Sequence, residues 1–358
     1  MNPGRASTSA PFTASYSSNL AELLLSLKCS IVVSTYQAGK LVFISPNDQH
    51  KMVQLPRTFK KPMGIALDGD RLAVASTSEI IVLKNSTELA LSYPGKQGIY
   101  DAMFMPRATY YTGGVDIHDL HFGADKLWAV NTSFSCICTI DEQYSFTPVW
   151  RPKFIDRYVS EDRCHLNGMV MQNGTPLYVS TLGTGNTYQS WRENITSGGA
   201  IIHVPSGEIV IDGLAMPHSP QLIDGKLYCL LSAKEELICI DPEKGSYDVI
   251  KKIPGFVRGM ARLGDHLFIC TSKLRQNSST FKHLEIAQKA NRAGLIVLHL
   301  PTTSIVANFE WKTSVDEIYD IQVLPNILRP NIVNTYEDKH HQALHIPEST
   351  YWGSKERR

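Results

Sequence analysis

The sequence predicts an all-β protein, a six-bladed β-propeller whose last blade is shared between the N- and C-terminal segments. Two observations predict this fold. A unit of strand, turn and strand recurs at intervals of roughly 40 to 60 residues. In addition, each end of the chain carries half of one further unit. Repeated antiparallel units of this kind are typical of propeller blades.

Five copies of the unit are complete. They read PMGIALDGDRLAVAS (62–76), DIHDLHFGADKLWAVN (116–131), HLNGMVMQNGTPLYVS (165–180), PHSPQLIDGKLYCLLS (217–232) and FVRGMARLGDHLFICTS (256–272). Turn signals such as DG and NG separate the two strands of each copy. Alternating apolar segments between the copies, such as EIIVLKN (79–85) and GLIVLHLP (294–301), supply the remaining strands. Each copy therefore predicts one antiparallel blade.

The sixth unit is divided between the two ends of the chain. EIYDIQVLPN (317–326) supplies a first strand, and CSIVVSTYQAGKLVFIS (29–45) supplies two later ones. Joining them in one blade closes the ring and removes open sheet edges, which would otherwise favour aggregation. A seven-bladed ring and a β-sandwich are the alternative architectures.

Three regions are expected along the chain. Residues 1–18, rich in Ser, Thr and Ala, predict a flexible N-terminal tail; residues 19–330 predict the propeller; residues 331–358 predict an extension packed on it or trailing from it. A short amphipathic helix is expected at LAELLLSL, which is too short for a signal peptide or a membrane span. The long loops 182–199 and 272–294 are expected above one mouth of the central channel, the second with a helix near its centre.

The charge limits the classes of partner that are expected, and the cysteine content indicates the cellular compartment. Lys and Arg (35) nearly balance Asp and Glu (34), so neither nucleic acid nor a membrane is an expected partner. Seven cysteines, several of them within apolar strands, are typical of buried thiols in a cytoplasmic protein. There is no Gly-rich phosphate loop that follows a strand and opens a helix, so no nucleotide cofactor is expected.

The repeats also predict the channel lining, because the first strand of each blade lies innermost. Alignment of the six copies places one residue of each blade at an equivalent point of the mouth, which we call the mouth position. The mouth positions are Met63, His118, Asn167, His218, Arg258 and Tyr319. Gly, Asp or Ser follows in every copy, which lets the strands crowd together near the axis.

Histidines from three consecutive blades are expected near this mouth. His118 and His218 occupy mouth positions, and His165 lies two residues before Asn167. Three neutral imidazoles are ligands for Zn, Fe or Cu and leave coordination positions open, so they predict a divalent transition-metal site. Alternatively, the histidines only hydrogen-bond to strands or to channel water.

Other residues complete the predicted site. Asp119, Arg258 and Tyr319 are the predicted catalytic residues, with Asp119 as base or as partner of a metal ligand and the other two orienting the substrate. Arg258 has the alternative of an ion pair with Glu317 or Asp320. The predicted substrate-binding residues are Met63, Asn167, Trp191 and Arg192. His121 is expected to pack inside the sheet.

Three functions fit this pattern. The first is a metal-dependent enzyme acting on a small polar molecule or peptide at the channel mouth, with an oxidoreductase and a hydrolase or lyase both open. The second is a non-catalytic module that binds a peptide or protein on the same face. The third is a scaffold without a pocket function.

The segments VDIHDLHF, CHLNGM, MPHSP, GFVRGM and EIYDIQVLP resemble an uncharacterised family of bacterial proteins, a domain of unknown function often associated with tetratricopeptide proteins. The likeness covers about residues 20 to 352 and implies a propeller without an assigned activity. More distantly, the chain resembles calcium-dependent, lactonase-like six-bladed propellers, whose channel metal is held by carboxylate and Asn side chains. Only Asn167, Asp119 and Asp320 fit that pattern, and the histidines depart from it.

Overall fold

The structure is a computed structural model that describes residues 10–274, 281 and 283–353. The chain begins with β1 (Ala14–Tyr16), helix α1 (Leu20–Ser26), β2 (Cys29–Thr35), β3 (Lys40–Pro46) and β4 (Met52–Thr58). Blade 1 follows with β5 (Ile65–Asp68), β6 (Arg71–Ala75), β7 (Glu79–Asn85), helix α2 (Thr87–Leu91) and β8 (Ala102–Tyr111). Blade 2 contains β9 (Ile117–Gly123), β10 (Lys126–Asn131), β11 (Cys136–Ile140) and β12 (Thr147–Trp150).

The second half of the chain repeats this pattern. Blade 3 contains β13 (Leu166–Gln172), β14 (Thr175–Thr181), β15 (Gly199–His203) and β16 (Glu208–Leu214). Blade 4 contains β17 (Pro217–Ile223), β18 (Lys226–Leu231), β19 (Glu236–Asp241) and β20 (Ser246–Lys252). Blade 5 contains β21 (Phe256–Leu263), β22 (His266–Ser272), helix α3 (Glu285–Lys289), β23 (Ala293–His299) and β24 (Ser304–Trp311).

The chain ends with β25 (Ile321–Pro325), β26 (Pro330–Ile332), β27 (Ala343–Ile346) and β28 (Ser349–Trp352). Short 3-10 helices cover Ser190–Asn194, Ser232–Lys234, Leu300–Thr302 and Asp338–Gln342.

Local sequence explains the hairpins within the blades. Asn173 and Gly174 have φ values of 51° and 76°, and Asp224 and Gly225 have 49° and 77°. Two consecutive positive φ angles define the type I′ turn, whose twist matches that of the flanking strands. The dipeptides NG and DG thus join the first and second strands of blades 3 and 4.

Blade 6 closes the ring with strands from both ends of the chain. Its order is β25-β2-β3-β4, and the pairing of β25 with β2 is antiparallel from Cys29 opposite Pro325 to Val33 opposite Ile321. The first strands of neighbouring blades contact one another all the way round, including β25 with β5. The predicted six-bladed propeller with a shared blade is therefore confirmed.

The predicted flexible tail over residues 1–18 extends too far along the chain. Residues 14–16 form β1, which pairs with β24 as a fifth strand of blade 5. The next residues lead into α1, whose Leu20 and Leu24 lie one turn apart and are fully buried in a cluster with Trp311. This apolar face holds the segment against the propeller. Residues 1–9 lie outside the described part of the chain.

The C-terminal extension packs on blade 1. β26 runs parallel to β8 as a fifth strand, and β27 and β28 form a hairpin beside α2. The Trp352 indole donates a hydrogen bond from Nε1 to the Leu89 carbonyl at 3.0 Å and meets the Tyr93 ring edge-on. Of the two predicted arrangements, the described residues show the packed one.

Apolar faces of neighbouring blades pack together to form the core. One cluster joins Val74 of blade 1 to Phe43 of blade 6, and another joins Val257 of blade 5 to Leu230 of blade 4. All seven cysteines are free thiols, and six of them are buried. None of the helices in the described ranges is long and apolar enough to cross a membrane.

Candidate functional site

β-Bulges set the direction of the side chains at the channel mouth. In blade 2, Asp119 lies opposite Val130 and Ile117 opposite Asn131, so His118 is an extra residue in β9. The inner strands of blades 3, 4 and 5 carry a one-residue irregularity at the same place. Bulges re-aim side chains and are common beside active sites. Here they interrupt strand alternation at the mouth positions.

Polar residues and glycine alternate at the position that follows each mouth position. We call this set the clamp ring, and its members in chain order are Gly64, Asp119, Gly168, Ser219, Gly259 and Asp320. Asp119 accepts hydrogen bonds at Oδ1 from Leu120 N (2.9 Å) and at Oδ2 from Met169 N of blade 3 (2.7 Å). Its carboxylate therefore ties blade 2 to blade 3.

The other two polar members do the same. Asp320 accepts hydrogen bonds from Ile321 N (2.7 Å) and from Ile65 N of blade 1 (2.8 Å). Ser219 Oγ accepts one from Gly259 N of blade 5 at 3.0 Å. Each even-numbered blade thus holds the blade that follows it.

The glycines permit the remaining three contacts around the axis. A Cβ on Gly64 would lie 3.0 Å from Asp119 Cα, and a Cβ on Gly168 would lie 2.6 Å from Pro220 Cδ. Backbones approach this closely only where no side chain intervenes. The clamp ring therefore alternates a side-chain hydrogen bond with a close backbone contact.

A second set of polar side chains supports the same junctions from two residues further on. The Gln322 amide donates to the Ile65 carbonyl at 2.9 Å, and the Gln221 amide donates to the Met260 carbonyl. In blade 2 this place is taken by His121, whose Nε2 lies 3.4 Å from Asp119 Oδ2. His121 lines the channel, so its predicted role as a packing residue inside the sheet is wrong; the bulge at His118 had shifted the strand parity.

The channel widens above the clamp ring into a cavity of about 370 Å³, which we call the mouth chamber. A lower cavity of about 60 Å³ lies on the other side of the mouth positions. Four mouth residues line both spaces and separate them: His118, His218, Arg258 and Tyr319. Met63 lines only the chamber, and Asn167 lines only the lower cavity.

One continuous stack of side chains crosses the chamber, and we call it the ring stack. Its members in order of contact are Arg258, Tyr319, His118, His165, Trp191 and Arg192. The Arg258 guanidinium lies 3.6 Å from the Tyr319 ring centroid, and the His118 and His165 centroids are 4.8 Å apart. The predicted residues of blades 2, 3, 5 and 6 are therefore brought together in one site.

Hydrogen bonds fix the tautomer of all three histidines. Nδ1 of His118 lies 3.1 Å from the Asp116 carbonyl oxygen, and Nδ1 of His218 lies 2.9 Å from the Met216 carbonyl oxygen. Nδ1 of His165 lies 3.0 Å from both carboxylate oxygens of Asp162. Because these partners accept hydrogen bonds, each Nδ1 carries a proton, so the neutral form of each imidazole has its lone pair on Nε2.

Burial favours the neutral forms of His118, His218 and Tyr319. It lowers the pKa of His118 well below the usual histidine value, and the nearby His165 and Arg258 lower it further. Burial and Arg258 also lower the pKa of His218. Burial raises the pKa of Tyr319 well above its ordinary value, so the phenol keeps its proton at neutral pH.

The three histidines do not provide the expected metal centre in this geometry. Among residues 10–274, 281 and 283–353, no group of three or more His, Cys, Asp or Glu side chains is arranged to hold a metal ion. The prediction of a transition-metal site at His118, His165 and His218 gains no support from the site.

Three polar groups at the mouth positions lack hydrogen-bond partners within the described chain. They are the Arg258 guanidinium, the Tyr319 hydroxyl and the Asn167 side-chain amide. No ion pair joins Arg258 to Glu317 or Asp320 in this part of the protein, so that alternative for Arg258 is not realised. Tyr319 is 9% exposed and Asn167 is 6% exposed, so their unsatisfied groups face the channel from buried positions.

The predicted substrate contacts from the long loops line the chamber. Trp191 lies in the short helix Ser190–Asn194 and is buried against His165, with ring centroids 4.3 Å apart. Arg192 stacks on Trp191 and also lines the chamber. Leu274 and Phe281 of the second loop complete the wall. The predicted helix in that loop is the short α3; residues 275–280 and 282 lie outside the described chain.

Asp119 differs most from its predicted role. Both of its carboxylate oxygens are engaged by backbone amides, and it lines the lower cavity rather than the chamber. Its position suits closure of the ring better than proton transfer to a ligand in the chamber.

Sequence reasoning missed Asp162. This carboxylate also accepts a hydrogen bond from Trp191 Nε1 at 3.0 Å, so one side chain orients two members of the ring stack. Asp162 and His165 have φ values of 46° and 51°, a left-handed conformation that is costly for residues other than glycine. Nothing in the spacing of these residues signals the pairing.

Comparison with known proteins agrees with this architecture. The family model of a domain of unknown function, DUF4915, matches residues 18–333. The chain belongs to this family. The DUF4915 match spans all six blades, which confirms the resemblance drawn from the repeated motifs. No curated protein matches the chain.

A solved structure shares the propeller fold. A chain in the crystal structure of a nidogen/laminin complex is 12% identical, with a TM-score of 0.52. The alignment covers 83% of this DUF4915 protein and 99% of that chain. At this identity the likeness concerns the fold alone.

Proposed function

We propose that the protein is an enzyme that carries out general acid–base chemistry on a small polar molecule held in the mouth chamber. His165 is the base, and Asp162 is the carboxylate that orients it. The observation that carries this proposal is the Asp162–His165 pair at 3.0 Å within a chamber built by six blades and two loops. A volume of about 370 Å³ lies in the range of small-molecule sites.

The pair has the arrangement of a supported general base. A carboxylate that accepts the Nδ1 proton fixes the imidazole tautomer and stabilises the imidazolium that forms when Nε2 takes a proton. The Trp191 indole donates to the same carboxylate and restricts its rotation. The positive φ angles of Asp162 and His165 are consistent with a function that requires this exact pairing despite its backbone cost.

The other two histidines supply neutral acceptors in the same chamber. His118 packs edge-on against His165, and His218 lines the chamber from blade 4 with Nδ1 held by Met216 and by Ser232 Oγ at 2.8 Å. Because burial keeps both imidazoles neutral, their Nε2 atoms accept hydrogen bonds from ligand hydroxyl or amine groups. This replaces the predicted base Asp119 and needs no metal ligand set.

Solvent deuterium exchange tests the proposal. A mixture of small polar metabolites is incubated with the protein in D₂O, and mass spectrometry records which compounds are consumed or gain deuterium. We expect a wild-type reaction that falls roughly 100-fold in His165→Gln and by a comparable factor in Asp162→Asn, the size of a lost general base.

The matched control is His203→Gln, since His203 lies on outer strand β15 and hydrogen-bonds Ser206. It should react like the wild type. A reaction that is equally fast in His165→Gln, or no change in any compound, would contradict the proposal. The second result would leave the predicted peptide- or protein-binding module as the better account of the chamber face.

A further inference from the structure

We infer that the mouth positions form a cradle for a hydroxycarboxylate, a small molecule with a carboxylate and a neighbouring hydroxyl group. The inference deepens the proposed function, since it names the class of ligand that the same chamber binds. It depends on two sets of mouth residues of opposite hydrogen-bonding character, which we call the donor set (Arg258, Tyr319 and Asn167) and the acceptor set (His118 and His218).

The donor set contains donors without acceptors. Arg258, Tyr319 and Asn167 occupy equivalent places in blades 5, 6 and 3, and all three line the lower cavity. A guanidinium, a phenol and an amide N–H together supply one positive charge and several donors. Buried donors normally have partners, and the described part of the chain offers none to the Tyr319 hydroxyl or to the Asn167 amide, both of which are buried. The half-buried Arg258 guanidinium packs on the Tyr319 ring.

The geometry of Arg258 suits a carboxylate. Its guanidinium carbon lies 3.6 Å from the Tyr319 ring centroid, so a cation–π contact holds the fork in place. The N–H groups at the edge of a stacked guanidinium remain available for a bidentate pair with a carboxylate. The Tyr319 hydroxyl and the Asn167 amide then offer donors to the oxygen that points into the channel.

The surroundings favour a monoanion over a dianion such as inorganic phosphate. Arg258 is the only Lys or Arg among the described residues that line the lower cavity, which also holds Asp119 and Asp320. Burial and, to a smaller extent, the proximity of Asp119 raise the pKa of Asp320 to about 7.

The acceptor set contains acceptors without donors. His118 and His218 occupy mouth positions in blades 2 and 4, line both cavities, and carry their protons on Nδ1. Their Nε2 atoms would repel a carboxylate oxygen but accept a hydrogen bond from a hydroxyl group. A ligand with both groups on adjacent carbons matches both sets, and its remaining part meets the aromatic wall of Trp191 and Phe256.

Binding of a matched series tests the cradle on the full chain. Mandelate carries both groups, phenylacetate lacks the hydroxyl, mandelamide lacks the charge, and inorganic phosphate is the alternative anion. Calorimetric titration should give affinities for mandelate about 30-fold above mandelamide and about 5-fold above phenylacetate, as expected for one charged and one neutral hydrogen bond. Phosphate should bind more weakly than mandelate.

Variants locate the binding site. Arg258→Met should lower mandelate affinity about 30-fold and leave mandelamide nearly unchanged, while Tyr319→Phe and Asn167→Ala should each lower mandelate affinity about 5-fold. His118→Phe should abolish the preference for mandelate over phenylacetate. Arg107→Met is the matched control, because Arg107 is exposed on β8 and bonds only within its own strand. It should bind like the wild type.

Several results would overturn the inference: no binding of mandelate or phenylacetate, equal affinities for mandelate and mandelamide, tighter binding of phosphate, or unchanged affinity in Arg258→Met. The result also separates the two proposals. If carboxylates bind as expected but exchange does not depend on His165, the acid–base function fails and the cradle stands. If exchange depends on His165 but carboxylates have no advantage, only the cradle fails.

Discussion

Two neighbouring residues of each inner strand have opposite roles. The mouth positions are irregular in chemistry, and three of them leave polar groups without partners in the described chain. The clamp ring, one residue further on, alternates polar residues with glycine, and each polar member bonds to the next blade. The difference teaches that satisfied hydrogen bonds mark the residues that close this ring, whereas unsatisfied ones mark residues that face the channel.

The largest effect on stability is expected for Gly168→Ala in the clamp ring. The new Cβ would lie 2.6 Å from Pro220 Cδ, so blades 3 and 4 must move apart. We expect a loss of about 3 kcal/mol in the free energy of unfolding, measured by urea denaturation. Asn167→Ala, one residue earlier, should change it by less than about 1 kcal/mol, since its amide Nδ2 has no partner. Similar losses in both variants would remove the distinction between the two positions.

The second largest loss of stability is expected for Asp119→Ala. It removes the acceptor for two backbone N–H groups and should cost about 2 kcal/mol, measured in the same denaturation experiment. Solvent exchange catalysed in the chamber should persist in the fraction that remains folded. A variant of full stability that has lost the exchange reaction would return Asp119 to its predicted role as the base.

Acid should destabilise the protein through the mouth histidines. The folded protein lowers the pKa of His218, so the unfolded chain takes up a proton first as the pH falls below about 6.5. The contribution of His218 to the free energy of unfolding is therefore fully present above about pH 6.5. As the pH decreases from there, the free energy of unfolding decreases by at most about 1.4 kcal/mol per pH unit.

Asp320 in the clamp ring has the opposite effect on how stability depends on pH. Its folded pKa is raised to about 7, so its contribution is present at low pH and is lost as the pH rises toward 7. Unfolding curves between pH 5 and 8 for wild type, His218→Gln and Asp320→Asn separate the two groups. Parallel curves for wild type and His218→Gln would show that His218 is not held neutral.

The smallest effect is expected for Ser219→Ala. Its hydroxyl accepts one neutral hydrogen bond from Gly259 N, whose loss should cost about 1 kcal/mol in thermal or urea unfolding. This loss is smaller than the loss expected for Asp119→Ala, because the Ser219 hydroxyl accepts one backbone hydrogen bond whereas the Asp119 carboxylate accepts two. If Ser219→Ala lost more stability than Asp119→Ala, the charge of the carboxylate would not be what strengthens the clamp-ring contacts between blades.

The sequence predicted the frame of the site well, because the repeat records strand order and register. Alignment of six copies placed His118, His218, Arg258 and Tyr319 at one mouth, where the structure also has them. The alignment also showed that glycine alternates with Asp or Ser at the next position. Close packing of the strands near the axis explains the glycines but not the polar residues. The partners of Asp119 and Asp320 lie in the next blade, and no local pattern reveals them.

Bulges and loops account for most of what was mispredicted. Strand parity placed His121 inside the sheet, but the extra residue at His118 turns it into the channel. Asp162 precedes the first strand of blade 3, and its bond to His165 depends on two left-handed residues that no periodicity encodes. Tertiary partners of irregular segments are therefore the part of the site that requires coordinates.

The shared blade has a consequence for synthesis. Strand β2 leaves the ribosome early, but its inner neighbour β25 lies almost 300 residues later, at Ile321–Pro325. Until then β2 presents an unpaired edge on a nascent chain, the kind of edge that pairs with other chains. The protein should thus depend on chaperone protection late into translation, and truncations before residue 321 should precipitate instead of accumulating as smaller propellers.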